Sequence, residues 1–297
     1  MALRKIQVTK ADSGKRLDRF LTKALPGVDL SAVQVRIKGK LARPERKLWG
    51  NGELEVAVPQ ARPVEAAPDA PEVPVLHQDA DLVIVDKPPG LVVESEGNGR
   101  SVVEIVGARV GGCECGGLAA PGVAHRLDRE TSGCLALART DDALAKLKAA
   151  FEAGQVDKRY LAIVLGEPPQ SLRLAGPYAR DPNDPRRFTT RVPSARRAAL
   201  SFAVRERLRG AALLEVTLET GRTHQIRVQL SEAGFPVLGD SIYGPDAARK
   251  HPAATLLGRQ ALHAFRLDLG AGCGLKGVGV VSPVPADFER ALASLRA

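Results

Sequence analysis

The sequence has few cysteines and no long apolar run. Its four cysteines, at positions 113, 115, 134 and 273, have neither the number nor the spacing of a disulfide framework. Cys113 and Cys115 could share a metal, but no second close pair completes a four-ligand site, so we predict reduced, structural thiols and no metal. No segment approaches the roughly 20 apolar residues of a membrane span, and the N-terminus lacks the apolar core of a signal peptide. A cytoplasmic protein without membrane contact is expected.

A phosphate-binding loop of the type G-x-x-x-x-G-K-[ST] is also missing from the chain. That loop cradles nucleotide phosphates with its backbone N–H groups. We therefore expect no nucleotide cofactor.

Negative charge is scarce relative to positive charge. The 297 residues include 43 Lys and Arg against 34 Asp and Glu, which gives a formal net charge of +9. Such a surplus favours a polyanionic partner, because basic side chains that bind phosphates release condensed counterions. Nucleic acid is the leading candidate. The alternative is a basic surface that only keeps the protein soluble.

A proline-rich segment divides the chain. Residues 59–74 contain five prolines and no periodic apolar pattern, which is typical of an extended, semi-rigid linker. We predict a small N-terminal unit over residues 1–58, a linker over 59–73 and a larger domain over 74–297.

The small unit combines short strands and helices. The apolar spacing predicts strands at Ile6–Val8 and Glu53–Val58, a helix with apolar residues at 17, 20, 21 and 25, and a second short helix over Ser31–Ile37. Basic residues crowd positions 36, 38, 40, 43, 46 and 47. They favour a phosphate-facing surface, with a merely solvated face as the alternative.

The larger domain contains more strands than helices. Its patterns predict a strand at Asp81–Asp86, a turn at Lys87–Gly90, a strand at Leu91–Val93, a helix at Asp141–Ala153, strands at Tyr160–Leu165, Leu200–Val204 and Leu213–Leu218, and a helix at His224–Ala233. Strands and helices alternate irregularly. An α+β fold with a mixed, largely antiparallel sheet is therefore favoured over a doubly wound fold.

The stretch AHRLDRETSGCLAL, residues 124–137, places Asp128 between two arginines, Arg126 and Arg129. Nearby positive charge stabilises an ionised carboxylate, so Asp128 can serve as a nucleophile or base but not as a general acid at neutral pH. A hydrolase triad of His125, Asp128 and Ser132 is disfavoured, because the three lie within eight residues and no G-x-S-x-G elbow is present. The alternative is an aspartate that caps a turn.

Three other stretches carry groups suited to binding nucleic acid or pairing with a carboxylate. Tyr160, near the start of a predicted strand, can stack on a planar base. The stretch ETGRTHQIR, residues 219–227, places Arg222 and Arg227 on separate turns, so one of them can pair with a buried carboxylate. Residues 179–197 predict a loop along phosphate, with a solvated loop as the alternative; its arginines are at 180, 186, 187, 191, 196 and 197.

These stretches occur in a familiar order. HRLDRETSG, KRYLAIVLG, GRTHQIRV and GFPVLGDSIYG, in that order, resemble the motifs of the RluA-type pseudouridine synthase family. HQDADLVIVDKPPGLVV resembles the opening of that family's catalytic domain, and LHAFRLDL and SPVPADF resemble its closing strands. The resemblance covers roughly residues 74–290 and implies the pseudouridine synthase fold.

The resemblance implies isomerisation of uridine to pseudouridine in RNA, without a cofactor or metal. By position in the motifs, Asp128 would be the essential catalytic aspartate, Tyr160 the tyrosine packed on the uracil, and Arg227 the arginine that salt-bridges the aspartate. Arg126 resembles the arginine that takes the place of the flipped base. Attack of the aspartate on the sugar, attack on the ring and removal of a sugar proton are three alternatives for its chemical role.

Physical chemistry is consistent with these roles. An enzyme must extrude a stacked uridine at a cost of a few kcal/mol, and the planar guanidinium of Arg126 can stack in the gap in ways lysine cannot. Arg227 would offset the desolvation of Asp128, ideally by a bidentate contact. Further RNA-binding candidates are His125, Arg129, Arg222, His224, Gln225, Arg186 and Arg187.

The N-terminal unit resembles the ribosomal-protein-type RNA-binding domain often fused before this catalytic domain. In that domain the second helix leads into a strand that carries a V-N-G turn, whereas this sequence has IKGKLARPERKLWGNGELEV at residues 37–56. Residues 31–52 are therefore expected to be shortened or altered. The unit favours ribosomal RNA as the substrate, with transfer RNA as the alternative, and a monomer is the default.

Two competing functions are weighed against the synthase. One is a non-catalytic RNA-binding or ribosome-assembly protein on the same scaffold. The other is a hydrolase of glycosidic bonds, which normally needs two carboxylates, whereas these motifs offer no evident second acid.

Overall fold

The computed structural model describes residues 2–25, 30, 33–58, 65–94, 100–116 and 119–296. The strands are β1 (Ala2–Val8), β2 (Gln34–Ile37), β3 (Lys40–Leu41), β4 (Gly52–Val58), β5 (Val75–Gln78), β6 (Leu82–Lys87), β7 (Gly122–Val123), β8 (Ser132–Ala138), β9 (Val156–Leu165), β10 (Ser171–Pro177), β11 (Ala179–Arg180), β12 (Phe188–Thr189), β13 (Arg197–Leu208), β14 (Ala211–Leu218), β15 (Leu262–Leu269) and β16 (Val278–Val281). The α-helices are α1 (Leu17–Ala24), α2 (Val102–Val110), α3 (Asp141–Glu152), α4 (Gln225–Glu232), α5 (Asp246–Arg249), α6 (Pro252–Leu257) and α7 (Ala286–Arg296). No helix in these ranges is both long and apolar enough to cross a membrane.

A four-stranded antiparallel sheet, in the order β1-β4-β2-β3, forms the N-terminal part of the chain. Helix α1 packs Leu17 and Leu21 into the same buried cluster as Leu54 and Val56 of β4. Lys38 and Gly39 both have positive φ, as the tight turn between β2 and β3 requires.

The predicted helix over Ser31–Ile37 is wrong. Residues 34–37 form strand β2, in which Val35 is buried while Gln34 and Arg36 are exposed. This alternation has a period of two, and pairing with β4 stabilises the β-branched residues in extended form. Residues 31 and 32 lie outside the described ranges.

A ten-stranded sheet forms the larger part of the structure. Its main path runs β10-β13-β14-β9-β15-β8-β6-β5, with β16 added to β15 and β7 added to β8. Among the described strands of this sheet, β15 and β8 pair in parallel and the other pairs are antiparallel. The prediction of an α+β fold with a mixed, largely antiparallel sheet is confirmed.

The centre of this sheet is buried on both faces. All seven residues of β8 are buried, as is expected for a strand covered on both sides. Along β6, Val83 and Val85 belong to the core cluster that includes Ile226 of α4, whereas Leu82 and Ile84 belong to the cluster that includes α3. The loop that precedes β8 is therefore attached to a strand that is buried on both sides.

The predicted strand at Leu91–Val93 is also wrong. Its residues form no ladder, and the carbonyl oxygens of Val92 and Val93 accept from the first N–H groups of α2 instead. Those N–H groups have no partner within the helix, so the preceding segment satisfies them.

The second half of the predicted linker contacts the larger core. Residues 65–73 form no helix or strand, but Ala70 and Val73 are buried, and Arg109 of α2 donates to the carbonyls of Ala70 and Pro71. Residues 59–64 lie outside the described ranges.

One segment has the glycine spacing of a dinucleotide-binding loop. Residues 272–277 read GCGLKG, but they lie between β15 and β16, begin within the short 3₁₀ helix Ala271–Cys273 and open no α-helix. The structural context of that motif is therefore absent from this described segment.

Candidate active site

Asp128 lies on the loop that enters β8, and a buried lysine holds this loop in place. Lys87, at the end of β6, is fully buried, and its Nζ donates to the carbonyls of Pro88, Leu91 and Arg129 at 2.8–2.9 Å. Burial lowers the pKa of Lys87 to about 7. The Asp128 carbonyl also accepts from the Thr131 N–H at 3.0 Å, which closes the turn.

Gly133 allows the loop that carries Asp128, the Asp128 loop, to approach β15. Its φ is +114°, and a Cβ at this position would overlap the carbonyl of Ala264 on the neighbouring strand. A residue with a side chain would push β8 away from β15. Close backbone packing therefore explains the glycine of the Thr-Ser-Gly part of the motif.

The disfavoured hydrolase triad does not form. Ser132 Oγ lies 3.0 Å from His263 Nδ1, and His125 Nε2 accepts from the Ala136 N–H at 2.9 Å. Neither side chain is directed at Asp128, so the loop presents that carboxylate alone.

Arg227 of α4 binds two carboxylates in the interior. It is 3% exposed, and its Nη1 donates to Asp128 Oδ2 at 2.9 Å. Its Nε and Nη2 bind Asp240 in a bidentate contact of 2.7 and 2.8 Å. The bidentate partner is thus Asp240, not Asp128 as expected, because the Asp240 carboxylate lies alongside the guanidinium fork.

Asp240 is the site residue that sequence reasoning missed. It is 1% exposed, and its Oδ1 also accepts from the N–H groups of Ile242 and Tyr243. Burial alone would raise the pKa of Asp240, but the hydrogen bonds and charge of Arg227 outweigh it and lower the pKa. Burial would likewise lower the pKa of Arg227, and the two carboxylates raise it instead. Both groups stay charged.

The second oxygen of Asp128 is open to the cavity. His224 Nε2 lies 3.8 Å from Asp128 Oδ1, too far for a hydrogen bond. His224 has a left-handed backbone (φ 60°), and its Nδ1 lies 2.9 Å from the hydroxyl of Tyr243, which accepts from the Phe188 N–H. That hydroxyl can therefore donate to Nδ1, which leaves the ring proton on Nε2, facing Asp128. Burial lowers the pKa of His224, although Asp128 opposes this.

Tyr160 of β9 faces the same space. It is 8% exposed and lines a cavity of about 50 Å³ together with Asp128, Arg227 and Arg126. Burial, and then the charge of Asp128, raise the pKa of Tyr160, so its phenol stays protonated. The structure thus brings into one cavity the three residues that the motifs single out.

The chain was compared with known proteins. Residues 81–232 match the family described as RNA pseudouridylate synthase. A protein of Chloroflexus aurantiacus, described as an uncharacterized RNA pseudouridine synthase, is 35% identical over 99% of this chain and 94% of its own length. The chain belongs to the RNA pseudouridine synthase family. It is accordingly an isomerase that acts on RNA.

Other relatives of this synthase agree in sequence and fold. A ribosomal large subunit pseudouridine synthase D of Xanthomonas campestris is 35% identical over 99% of the chain and 93% of the relative. The solved structure of human RNA pseudouridylate synthase domain containing 4 is 27% identical with a TM-score of 0.58, covering 75% of this chain and 93% of that one. Human RNA pseudouridylate synthase domain containing 1, at 23% identity, has a TM-score of 0.59 over 72% and 84% of the two chains.

The other predicted RNA-binding residues of the synthase differ in accessibility. Arg126 and Arg129 are exposed on the Asp128 loop. Arg222 is also exposed, and its Nε donates to the Arg197 carbonyl. Gln225 is 2% exposed, and its amide bonds to Ala199, Thr220, Arg222 and Gln229. Gln225 therefore braces the start of α4 at the edge of the Asp128 cavity, and its contact with RNA stays a prediction.

His125 of the synthase is uncharged at neutral pH. Its ring stacks on Phe151 with centroids 4.3 Å apart, and burial lowers its pKa to about 3. With Nε2 bound to a backbone N–H, the ring can contribute a stacking face to the cleft but not a cation.

Residues 179–197 of the synthase contain a short hairpin of β11 and β12 where a loop was expected. Arg187 lies over the ring of Tyr243, 5.2 Å from its centroid. Arg186 pairs with Asp184 through two contacts of 3.0–3.1 Å, so part of its charge is already neutralised.

Proposed function

We propose that this synthase forms pseudouridine in large-subunit ribosomal RNA. Three curated relatives named ribosomal large subunit pseudouridine synthase D, from Xanthomonas campestris, Nitrosomonas europaea and Zymomonas mobilis, are 32–35% identical to it. The matches span 97–99% of this chain and so include the N-terminal unit. Transfer RNA shares the flipped-base chemistry and is the substrate to test beside it.

The observation that carries the chemistry is the unequal environment of the two Asp128 oxygens. Oδ2 is held by Arg227, while Oδ1 faces the cavity that Tyr160 lines. We assign Asp128 as the reacting carboxylate, Tyr160 as the surface that packs on the uracil, and Arg227 as the cation that keeps Asp128 ionised and oriented. Attack on the sugar, attack on the ring and removal of a sugar proton all use the open oxygen.

Base flipping is part of the proposal. Asp128 is partly buried in a small cavity, where a uridine stacked in a helix cannot reach its open oxygen, so the nucleotide must leave the stack. Arg126 is exposed beside the same cavity. Its planar guanidinium is suited to fill the gap left in the RNA.

A second, wider cavity supports binding of the RNA backbone. Arg180, Arg196 and Arg222 line a space of about 690 Å³ next to the catalytic cavity. In the described ranges none of the three has a carboxylate within 4.0 Å, whereas Arg173 is paired with Glu219. Guanidinium groups without a protein counterion are suited to phosphates.

The organisation of the chain follows from this proposal. Residues 1–58 would act as an RNA-binding unit joined through residues 59–73 to the catalytic domain of residues 74–297. The protein would act as a monomer in the cytoplasm, where ribosomal RNA is modified.

The test is pseudouridine mapping with purified protein and unmodified transcripts of large-subunit ribosomal RNA and of transfer RNAs. We expect one or a few uridines of the ribosomal transcript to be converted. Asp128→Ala should abolish turnover while RNA binding stays close to wild type, because the reacting carboxylate contributes little to backbone contact. Conversion of transfer RNA alone would reassign the substrate. RNA binding without conversion of either RNA would favour the non-catalytic alternative.

A further inference from the structure

Lys158 is a buried cation in the cleft that the catalytic scheme does not use. It is 6% exposed and lies on β9, two residues before Tyr160. Because side chains alternate along a strand, Lys158 and Tyr160 point to the same side, with Cα atoms about 6.6 Å apart. Both line a cleft of about 560 Å³ that also contains Asp128.

The ammonium group of Lys158 lacks a protein partner. In the part of the chain that the structure describes, no carboxylate lies within 4.0 Å of its Nζ and no acceptor is hydrogen-bonded to it. Its neighbour Asp157 pairs with Arg159 on the other side of the strand. The contact that it does make is with the ring of Phe151, 5.7 Å from Nζ to the centroid.

The acids of the same cleft are engaged elsewhere or lie on its exposed rim. Asp128 is bound by Arg227, and Glu219 is bound by Arg173. Glu152 is exposed and makes no ion pair within the described ranges. Lys158 is thus a largely buried cation without an internal counterion among the described residues.

A lysine in this position destabilises the free protein. Burial removes most of the hydration of an ammonium group, and a contact with one aromatic ring returns only part of it. Accordingly, burial lowers the pKa of Lys158. Unfavourable burial of this kind is characteristic of groups kept for a ligand.

We propose that Lys158 binds the backbone phosphate next to the target uridine. An anion compensates a buried ammonium group for its lost hydration better than a neutral ligand does. The other cations of the cleft, Arg126, Lys148 and Arg222, also attract anions to the cleft. The distance between the Cα atoms of Lys158 and Tyr160 is close to the length of one nucleotide in an extended RNA strand. The inference rests on RNA being the substrate, as proposed above, and adds a phosphate subsite to it.

The experiment uses the full chain, an RNA fragment that carries the mapped uridine, and the variant Lys158→Met. Methionine keeps the length of the side chain and packs well on Phe151. We expect the Kd for RNA to rise about 10- to 100-fold, as for loss of a hydrogen bond to a charged group. The slope of log Kd against log salt should fall by about one.

The same variant should be more stable than the wild type. Removing an unpaired buried charge should raise the melting temperature in the absence of RNA by a few degrees. If Lys158 instead stabilised the protein by packing, the variant would have a lower melting temperature than the wild type. Lys276→Met, which removes an exposed lysine outside the cavities described here, is the control for loss of one charge and should alter neither quantity.

A neutral methylphosphonate in place of one phosphate beside the target uridine tests the ligand itself. It should weaken binding of the wild type but not of Lys158→Met. A site for free phosphate ions would instead show competition by inorganic phosphate without sensitivity to the neutral linkage, and would overturn the proposal.

Three further results would overturn it: an unchanged Kd in Lys158→Met, weaker binding accompanied by a lower melting temperature, or equal sensitivity of both proteins to the neutral linkage. If the wild type forms no pseudouridine in any RNA, the proposed function itself fails. If the wild type is active and the variant is its equal, only the phosphate subsite fails.

Discussion

Asp240→Asn tests whether the contact of Asp240 with Arg227 orients Asp128, the carboxylate that we propose to react. Asp240 Oδ1 accepts three hydrogen bonds, from Arg227 Nη2, Ile242 N–H and Tyr243 N–H, and an asparagine oxygen at that position retains them. Oδ2 accepts a hydrogen bond from Arg227 Nε. In the asparagine variant an NH₂ group takes the place of Oδ2, and two donors then face each other. The change therefore removes one charge-assisted hydrogen bond and the counterion.

The expected loss of stability follows from these contacts. One hydrogen bond to a charged group contributes about 1.5–3 kcal/mol, and removal of one partner of a buried ion pair costs about 3–5 kcal/mol. Because three bonds remain, we expect a loss of about 2–4 kcal/mol. That corresponds to a fall of about 5–10 °C in the melting temperature.

Turnover should fall more steeply than stability. Without its bidentate partner, Arg227 is free to turn toward the open oxygen of Asp128, and a displacement of about 1 Å at a reacting group lowers the rate about 100-fold. The assay is single-turnover pseudouridine formation at saturating RNA, well below the melting temperature. RNA affinity should stay near that of the wild type, because Asp240 is 1% exposed.

The control is Glu206→Gln. It disrupts a two-point contact with Arg296 at the exposed surface, which is worth at most about 1 kcal/mol, and it should leave turnover unchanged. If Asp240→Asn lowers the melting temperature but keeps the full rate, Asp128 does not depend on the clamp, and the reasoning is refuted.

Three further predictions follow from the same structure. Tyr160→Phe should retain RNA binding with much slower turnover in the single-turnover assay; an unchanged rate would reduce the phenol to a packing group. Gly133→Ala should destabilise the fold by more than about 3 kcal/mol in urea unfolding, because a Cβ would meet the Ala264 carbonyl; a midpoint near that of the wild type would contradict the close packing. Since the pKa of Asp240 is lowered, its ion pair contributes fully above the unfolded value of about 3.9 and is lost as pH falls below it. Melting curves below that pH should therefore converge for the wild type and Asp240→Asn, and parallel curves would count against the pair.

The fold was predictable where apolar periodicity and pairing agree. The unbroken apolar run of β6 and the helical spacing of α3 appear in the sequence as they do in the structure. The prediction for Ser31–Ile37 was wrong because Val33 and Ile37, four residues apart, also lie on one face of a short helix, and only pairing with β4 decides in favour of a strand. The prediction of a strand at Leu91–Val93 was wrong because the carbonyls of Val92 and Val93 accept hydrogen bonds from the N-terminus of α2 and not from a neighbouring strand.

The site was predictable as far as the motifs name residues with a chemical role. Asp128, Tyr160 and Arg227 stand out as charged or aromatic residues in ordered motifs. Asp240 carried one signal, a lone acid beside a glycine in GFPVLGDSIYG, but its partner lies 13 residues away and its burial is a property of the folded chain. Lys158 opens the motif KRYLAIVLG, but the sequence does not show that its side chain is buried without a counterion.

The place of β15 in the large sheet bears on biosynthesis. This strand lies between β9 and β8, although it is made more than 90 residues after either of them. A nascent chain released from the ribosome tunnel only as far as residue 250 lacks the strand that joins β9 to β8, so no continuous ladder connects Tyr160 with the Asp128 loop. We therefore expect catalytic competence to arise late in translation, and a fragment that stops short of this strand to be inert however complete its motifs.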